Sequence, residues 1–161
     1  LVLAFPNVIL ALSLIALMGI GIFNLVVAVA VSSIPAFVRI MRAEALRIRE
    51  LPYVDAARVM GVSWWMILVR HVIPNGLSPI IVQASISVGS AILIAAGLGF
   101  FGLGVAPPTP EWGAVLGEGR SYLFSSPHLV IVPGFCIFLA VLAFNFLGDG
   151  LQALLNPRVA S

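Results

Sequence analysis

Residues 53–75 read YVDAARVMGVSWWMILVRHVIPN, and this stretch decides how the chain is arranged. It carries Arg58 and Arg70 and is punctuated by Gly61 and Pro74, whereas long runs on either side of it contain no charge. Charged side chains are costly inside lipid, so such a chain crosses a membrane and leaves this segment in water. Its short, turn-bounded layout is typical of an element that docks onto another protein.

The overall composition also belongs to a membrane protein. Of the 161 residues, 61% are hydrophobic and 9% are charged, and the mean hydropathy is +1.18. Soluble domains have roughly 25% charged residues. The net charge of +2 is too small to indicate a nucleic-acid partner, and the single Cys136 has no partner for a disulfide and no metal-ligand spacing. We therefore predict an all-α, polytopic transmembrane protein that binds no metal.

The uncharged runs predict about four membrane spans. At about 1.5 Å per residue, the uncharged run 1–38 is too long for one crossing of a hydrocarbon core of about 30 Å. Gly19, Gly21 and Asn24 divide it into spans at about 3–20 and 25–40. Flanking prolines place the third span at about 79–100. Ser126 and Pro127 suit the start of the fourth, at about 128–146.

The arginines predict the orientation of these spans. Six of the eight lie between the second and third spans, Arg158 follows the last span, and only Arg120 lies between the third and fourth. The positive-inside rule therefore places segment 41–75 and the C-terminus in the cytoplasm, and loop 104–127 outside. Acidic residues interrupt the basic segment, which makes anionic lipid or nucleic acid a weaker alternative. Because the chain opens inside an apolar run, we expect it to be the C-terminal part of a longer protein.

The cytoplasmic segment predicts a short helix over 52–60. Pro52 suits its first turn, Asp55 favours its N-terminus and Gly61 ends it. Ser63 can cap a second helix, which Pro74 would end. The first helix either meets another protein or packs on its own chain, and spacing alone leaves both possibilities open. The candidate coupling residues are Tyr53, Ala56, Ala57 and Met60, at helical spacing on one face, with Asp55 and Arg58 flanking that face and Gly61 forming the turn at its end.

The same segment resembles the EAA signature of ABC-importer permeases. The match runs Asp55-Ala56-Ala57, three residues, Gly61, nine residues, His71, one residue, then Ile73-Pro74. The signature has Glu, Ile and Leu where this chain has Asp55, His71 and Ile73. Further blocks follow in order: AGLGFFGLG at 96–104, PPTPEWG at 107–113 and LAFNFLGDG at 142–150. The similarity covers essentially the whole chain, which resembles the C-type permease of dipeptide/oligopeptide (peptide/nickel) importers.

This resemblance implies a non-catalytic subunit in a prokaryotic inner membrane, with the fold of a type I importer permease core. Its implied partners are a second permease subunit, two cytoplasmic ATPase subunits and an extracytoplasmic substrate-binding protein. Residues 53–61 would be the coupling helix, with Asp55 facing basic residues of the ATPase. ATP and Mg²⁺ would be used by the partners, since this chain has no GxxxxGK[ST] sequence. The implied cargo is di- or oligopeptides. Nickel, glutathione or another solute is an alternative cargo. A less favoured alternative is that the protein is an ion-coupled secondary transporter.

Polar residues within and between the spans give further candidates. Those of the third span either line a pathway or bond neighbouring helices: Gln83, Ser85, Ser87 and Ser90. In the outer loop, Glu111 and Trp112 either contact the binding protein or form a structural turn. Asp149 is predicted to cap a short helix over 150–155. No Ser/His or Asp pair lies within the spans, which argues against an intramembrane enzyme.

Overall fold

The computed structural model describes residues 6–155, and all the regular structure in that range is helical. The helices are α1 (Asn7–Met18), α2 (Ile22–Arg49), α3 (Pro52–Val59), α4 (Trp64–Ile67), α5 (Ile73–Phe100), α6 (Trp112–Gly119) and α7 (His128–Leu155). A π-helical turn, Leu68–Val72, joins α4 to α5, and a 3-10 turn, Arg120–Tyr122, follows α6. Residues 3–5 of the first predicted span, and Arg158, lie outside the described residues. The prediction of an all-α membrane protein is confirmed.

Within residues 6–155, three continuous helices are long and apolar enough to cross a membrane: Ile22–Arg49, Trp64–Phe100 and His128–Leu155. α1 is apolar but has 12 residues, or about 18 Å, against a hydrocarbon core of about 30 Å. It is separated from α2 at the predicted break. Gly19 and Gly21 have φ of 85° and 156°, in the region that favours glycine. The Asn24 amide closes the break by donating to the carbonyls of Met18 (2.8 Å) and Gly19 (3.1 Å).

α5 is the central helix of the bundle and packs on α2, α6 and α7. One buried cluster joins α1, α2 and α5 through Ile15, Ala28 and Leu98. On the other side of α5, Gly89 and the Gly148 of α7 allow the two helices to approach closely. A Cβ on Gly89 would lie 3.5 Å from the Val141 carbonyl oxygen. Small residues at such contacts are the usual basis of helix packing in membranes.

Helices run further than the sequence predicted at three points. α2 continues to Arg49 instead of ending near residue 40, and α7 continues to Leu155, so residues 150–155 form no separate helix after Asp149. The prediction that Pro74 ends a helix is wrong. The π turn widens the helix before the proline, with the Ile73 N–H bonded to the Leu68 carbonyl. The side-chain amide of Asn75 then donates to the His71 carbonyl at 2.6 Å. This bond lies one residue after Pro74, which has no backbone N–H to donate.

Charge differs between the two ends of the bundle. The C-terminus of α2, α3, α4 and the start of α5 form one end, called here the basic end, which carries the arginines of 39–70. Residues 101–127 connect α5 to α7 at the opposite end, called here the loop end. The helix Trp64–Phe100 runs from one end to the other, so the two ends are joined by a single rod of 37 residues.

Candidate coupling site

α3 is a short helix held in place by its two ends. Pro52 occupies its first turn, where no N–H is needed, and Asp55 lies in that turn, near the positive end of the helix dipole. At the other end, Gly61 has φ 79° and its N–H donates to the Arg58 carbonyl at 2.9 Å. The Val62 N–H donates to the Ala57 carbonyl at 3.0 Å. These two bonds form the Schellman arrangement, which requires a left-handed residue and therefore favours glycine.

The inner face of α3 is packed against its own chain. Val54 and Ala57 are buried together with Ile48 of α2, Ile67 of α4 and Val72 of the π turn. Ala57 is only 4% exposed, so it does not share the open face on which the sequence analysis placed it. Its burial follows from Ile48 and Ile67, which approach α3 from distant positions in the sequence. This cluster attaches α3 to both α2 and the long rod.

The outer face of α3 is open and largely apolar. Met60 is 75% exposed and Val59 is 89% exposed, while Tyr53 is partly exposed and rests against His71 with ring centroids 5.6 Å apart. Ala56 is also exposed. The next helix adds Trp65, which is 73% exposed. Apolar side chains exposed together in this way mark an interaction surface.

Among the described residues, two i,i+3 ion pairs lie at the basic end, one in α3 and one in α2. Arg58 Nη1 donates to Asp55 Oδ1 at 3.1 Å, and both side chains are accessible to solvent. At the end of α2, Arg47 Nε donates to the Glu44 carboxylate at 3.0 and 3.1 Å. That hydrogen bond raises the pKa of Arg47. Exposed pairs contribute at most about 1 kcal/mol to stability, so Asp55 and Arg58 are available to a partner at little cost.

The rod is long enough to hold the open face outside a hydrocarbon core. The rod Trp64–Phe100 has 37 residues, which corresponds to about 55 Å of helix. A bilayer core accommodates about 30 Å of it. If the span occupies 79–100 as predicted, Trp65 lies about 20 Å from the core along the rod. In that arrangement the open face lies outside the acyl chains.

The polar residues predicted to line a pathway do not share one face of α5. Gln83 Nε2 donates to Ser87 Oγ at 3.0 Å, and Ser85 Oγ donates to the Ile81 carbonyl at 3.3 Å. Ser87 borders an apolar groove of about 440 Å³ between α2 and α5. Ser85 faces α7, near Gly148. Ser90 is exposed. Gln83, Ser85 and Ser87 take part in hydrogen bonds within α5, and a role of these four residues in lining a pathway stays a prediction.

The two outer-loop candidates point in different directions. Trp112 is 47% exposed and remains accessible to a partner. Glu111 instead turns into its own chain, where its carboxylate accepts a hydrogen bond from the Val105 N–H at 3.3 Å. Sequence reasoning missed the glycines that make room for it, Gly99 and Gly104. Within residues 6–155, no three His, Cys, Asp or Glu side chains are grouped as a metal site requires.

Comparison with known proteins identifies the family. The family model described as "Binding-protein-dependent transport system inner membrane component" matches residues 1–161. The chain belongs to this family. It is therefore an inner-membrane, multi-pass component, in agreement with the helices described above.

Several curated permeases are similar to the chain. It is 50% identical over 158 residues to the glutathione transport system permease protein GsiD of Pectobacterium atrosepticum, which covers 98% of this chain and 52% of that protein. It is 46% identical over 156 residues to the proteins of the same name from Escherichia coli O1:K1 and Shigella flexneri, covering 97% of this chain and 52% of each. The chain thus spans about half the length of these relatives.

Proposed function

We propose that the chain forms part of the permease subunit of an ATP-driven importer, and that the open face of α3 is where a cytoplasmic ATPase subunit docks. The observation that carries this proposal is the position of that face. It is apolar and exposed, and it lies about 20 Å along the rod from the predicted span 79–100. The docking surface comprises Tyr53, Asp55, Ala56, Val59, Met60 and Trp65, with Arg58 and Gly61 shaping its edge. The basic end is then the cytoplasmic end.

The packing of α3 suits it to transmit displacement. Its inner face contacts α2 through Ile48 and the rod through Ile67 and Val72. A push on α3 by a partner is therefore borne by two membrane helices at once. Closely packed interfaces of this kind switch between discrete arrangements instead of deforming gradually. In this proposal, a second permease subunit completes the pathway, and an extracytoplasmic binding protein delivers the cargo. The partner ATPases use ATP and Mg²⁺.

For the cargo we propose small peptides, including glutathione, which is a tripeptide. The named relatives, at 46–50% identity, support this choice. Nickel or another small solute is the alternative cargo. An ion-coupled carrier is disfavoured because the charged side chains of the described membrane helices lie towards their ends, as Arg39 and Arg42 do in α2.

The proposal is tested by Met60→Asp in the complete transporter, assembled with its ATPase subunits in proteoliposomes. A buried negative charge at the centre of the docking surface should lower ATPase association at least tenfold, because desolvating an unpaired charge is costly. Phe124→Asp is the matched control, since Phe124 is also exposed (100%, against 75% for Met60) but lies at the loop end. Normal ATPase association and normal glutathione uptake in Met60→Asp would refute the docking assignment. Uptake driven by an ion gradient without ATP would refute the transporter class.

A further inference from the structure

At the loop end, a carboxylate is enclosed within the chain. Glu111 immediately precedes α6, and its Oε2 accepts the Val105 N–H at 3.3 Å. Its Oε1 is buried without a hydrogen-bond partner among the described residues. Burying an unpaired carboxylate oxygen costs free energy. The position of the Glu111 side chain therefore depends on how closely the surrounding atoms enclose its carboxylate.

Two glycines form the cradle around this carboxylate. A Cβ on Gly99, in the last turn of α5, would overlap both carboxylate oxygens. A Cβ on Gly104 would overlap Oε2. Gly102, with φ 75°, folds the chain back over the end of α5, and the Leu103 N–H donates to the Leu98 carbonyl at 2.8 Å. The carboxylate is thus trapped between the end of α5 and the loop that follows.

The helix that begins after Glu111 lies directly on α5. A Cβ on Gly113 would overlap the Ala96 carbonyl, and one on Gly117 would lie 2.6 Å from the Phe100 carbonyl oxygen. The spacing of four residues places both glycines on one face of α6, so its backbone contacts the backbone of α5. The loop end of the rod and α6 are therefore in contact over more than one turn.

We infer that Glu111 is a positioning residue for transport, which locks α6 onto the end of α5 so that both move as one body. The rod begins beside the docking surface and ends at this lock, about 55 Å away. A partner that displaces α3 would then also displace the loop end, because one continuous helix links the two. This inference rests on the proposed function and deepens it, by naming the outer element that the coupling movement shifts.

The test uses two substitutions that open the lock from opposite sides, Glu111→Ala and Gly99→Ala, in the complete transporter. Both should lower the substrate moved per ATP hydrolysed about tenfold, the order of a typical coupling between sites, while basal ATP hydrolysis persists. The double variant should be no worse than Glu111→Ala, because the added methyl then occupies space that the carboxylate has left. Glu111→Gln should retain most transport, since its amide oxygen still accepts the Val105 N–H.

Matched controls separate this lock from general damage. Gly97→Ala adds the same methyl two residues away, where nothing lies within 4 Å of it. Glu118→Ala removes an exposed carboxylate from α6 itself. Both controls should transport normally. Equal transport per ATP in Gly99→Ala, Glu111→Ala and the unmodified protein would overturn the inference.

A distance measurement tests the lock independently of transport. Spin labels at Val115 on α6 and Leu93 on α5, both exposed positions, should give one narrow distance in a Cys136→Ala background. Glu111→Ala should broaden that distance, whereas Glu111→Gln should not. An equally narrow distance in Glu111→Ala would overturn the inference, even if ATP-driven uptake were absent. Absence of ATP-driven uptake in the unmodified transporter would instead refute the proposed function.

Discussion

The turn after α3 gives a prediction whose magnitude can be worked from the structure. Gly61 has φ 79°, and nothing lies within 4 Å of a Cβ built on it. Gly61→Ala therefore creates no clash, and its whole effect is the cost of placing an L-residue in the left-handed region. That cost is about 1–2 kcal/mol, which corresponds to roughly a 5- to 30-fold change in an equilibrium. The equilibrium affected is the local opening of α3 from its packed position.

Hydrogen exchange of the permease in lipid nanodiscs measures this opening. The reporter is the Val62 amide, which donates to the Ala57 carbonyl across the turn. Its exchange should speed up about 5- to 30-fold in Gly61→Ala, because local opening exposes the amide. Gly61→Asn should have a smaller effect, since asparagine tolerates left-handed backbone better. Unchanged exchange in Gly61→Ala, or an equal increase in the control Gly97→Ala, would refute the reasoning.

Two further substitutions probe the docking surface and the loop end. Asp55→Arg removes the ion pair between Asp55 and Arg58 and leaves two like charges there. We expect the stability measured by thermal melting to change by at most about 1 kcal/mol. We also expect the ATPase to be lost on co-purification. Normal co-purification would contradict a docking role for Asp55. Gly113→Ala should destabilise the protein by about 1–3 kcal/mol, because the new methyl overlaps the α5 backbone. As the control, Gly134→Ala should melt as the unmodified protein does, because nothing lies within 4 Å of the added methyl. Equal melting of both variants would contradict the close contact between Gly113 and the α5 backbone.

The features that could be predicted from the sequence are those set by local backbone chemistry. Gly19, Gly21 and Gly61 lie at turns because their φ values favour glycine, and Pro52 lies in a first helical turn because it has no N–H to satisfy there. The lengths of the uncharged runs predicted the long helices. These are properties of a few adjacent residues, so a sequence reveals them directly.

The features that could not be predicted depend on how separate helices pack together or on how a turn adjusts its geometry. The burial of Ala57 requires Ile48 and Ile67 to converge on α3, which no helical periodicity within α3 specifies. Pro74 continues a helix because the preceding turn widens to π geometry, whereas proline alone favours a helix end. Glu111 turns inward because Gly99, twelve positions earlier, leaves space for it. The glycine-rich run 97–104 does not reveal that a carboxylate fills the space beside it.

The central claim is that the open face of α3 meets an ATP-hydrolysing subunit in the cytoplasm. Photo-cross-linking from position 60 in intact membranes tests it most directly, because Met60 is exposed at the centre of that face. The account predicts a covalent adduct with the ATPase subunit. In the control, Met60 is kept and the photoreactive residue replaces Phe124; that variant should form no such adduct. An adduct formed only with lipid, with the same chain or with an extracytoplasmic protein would contradict it.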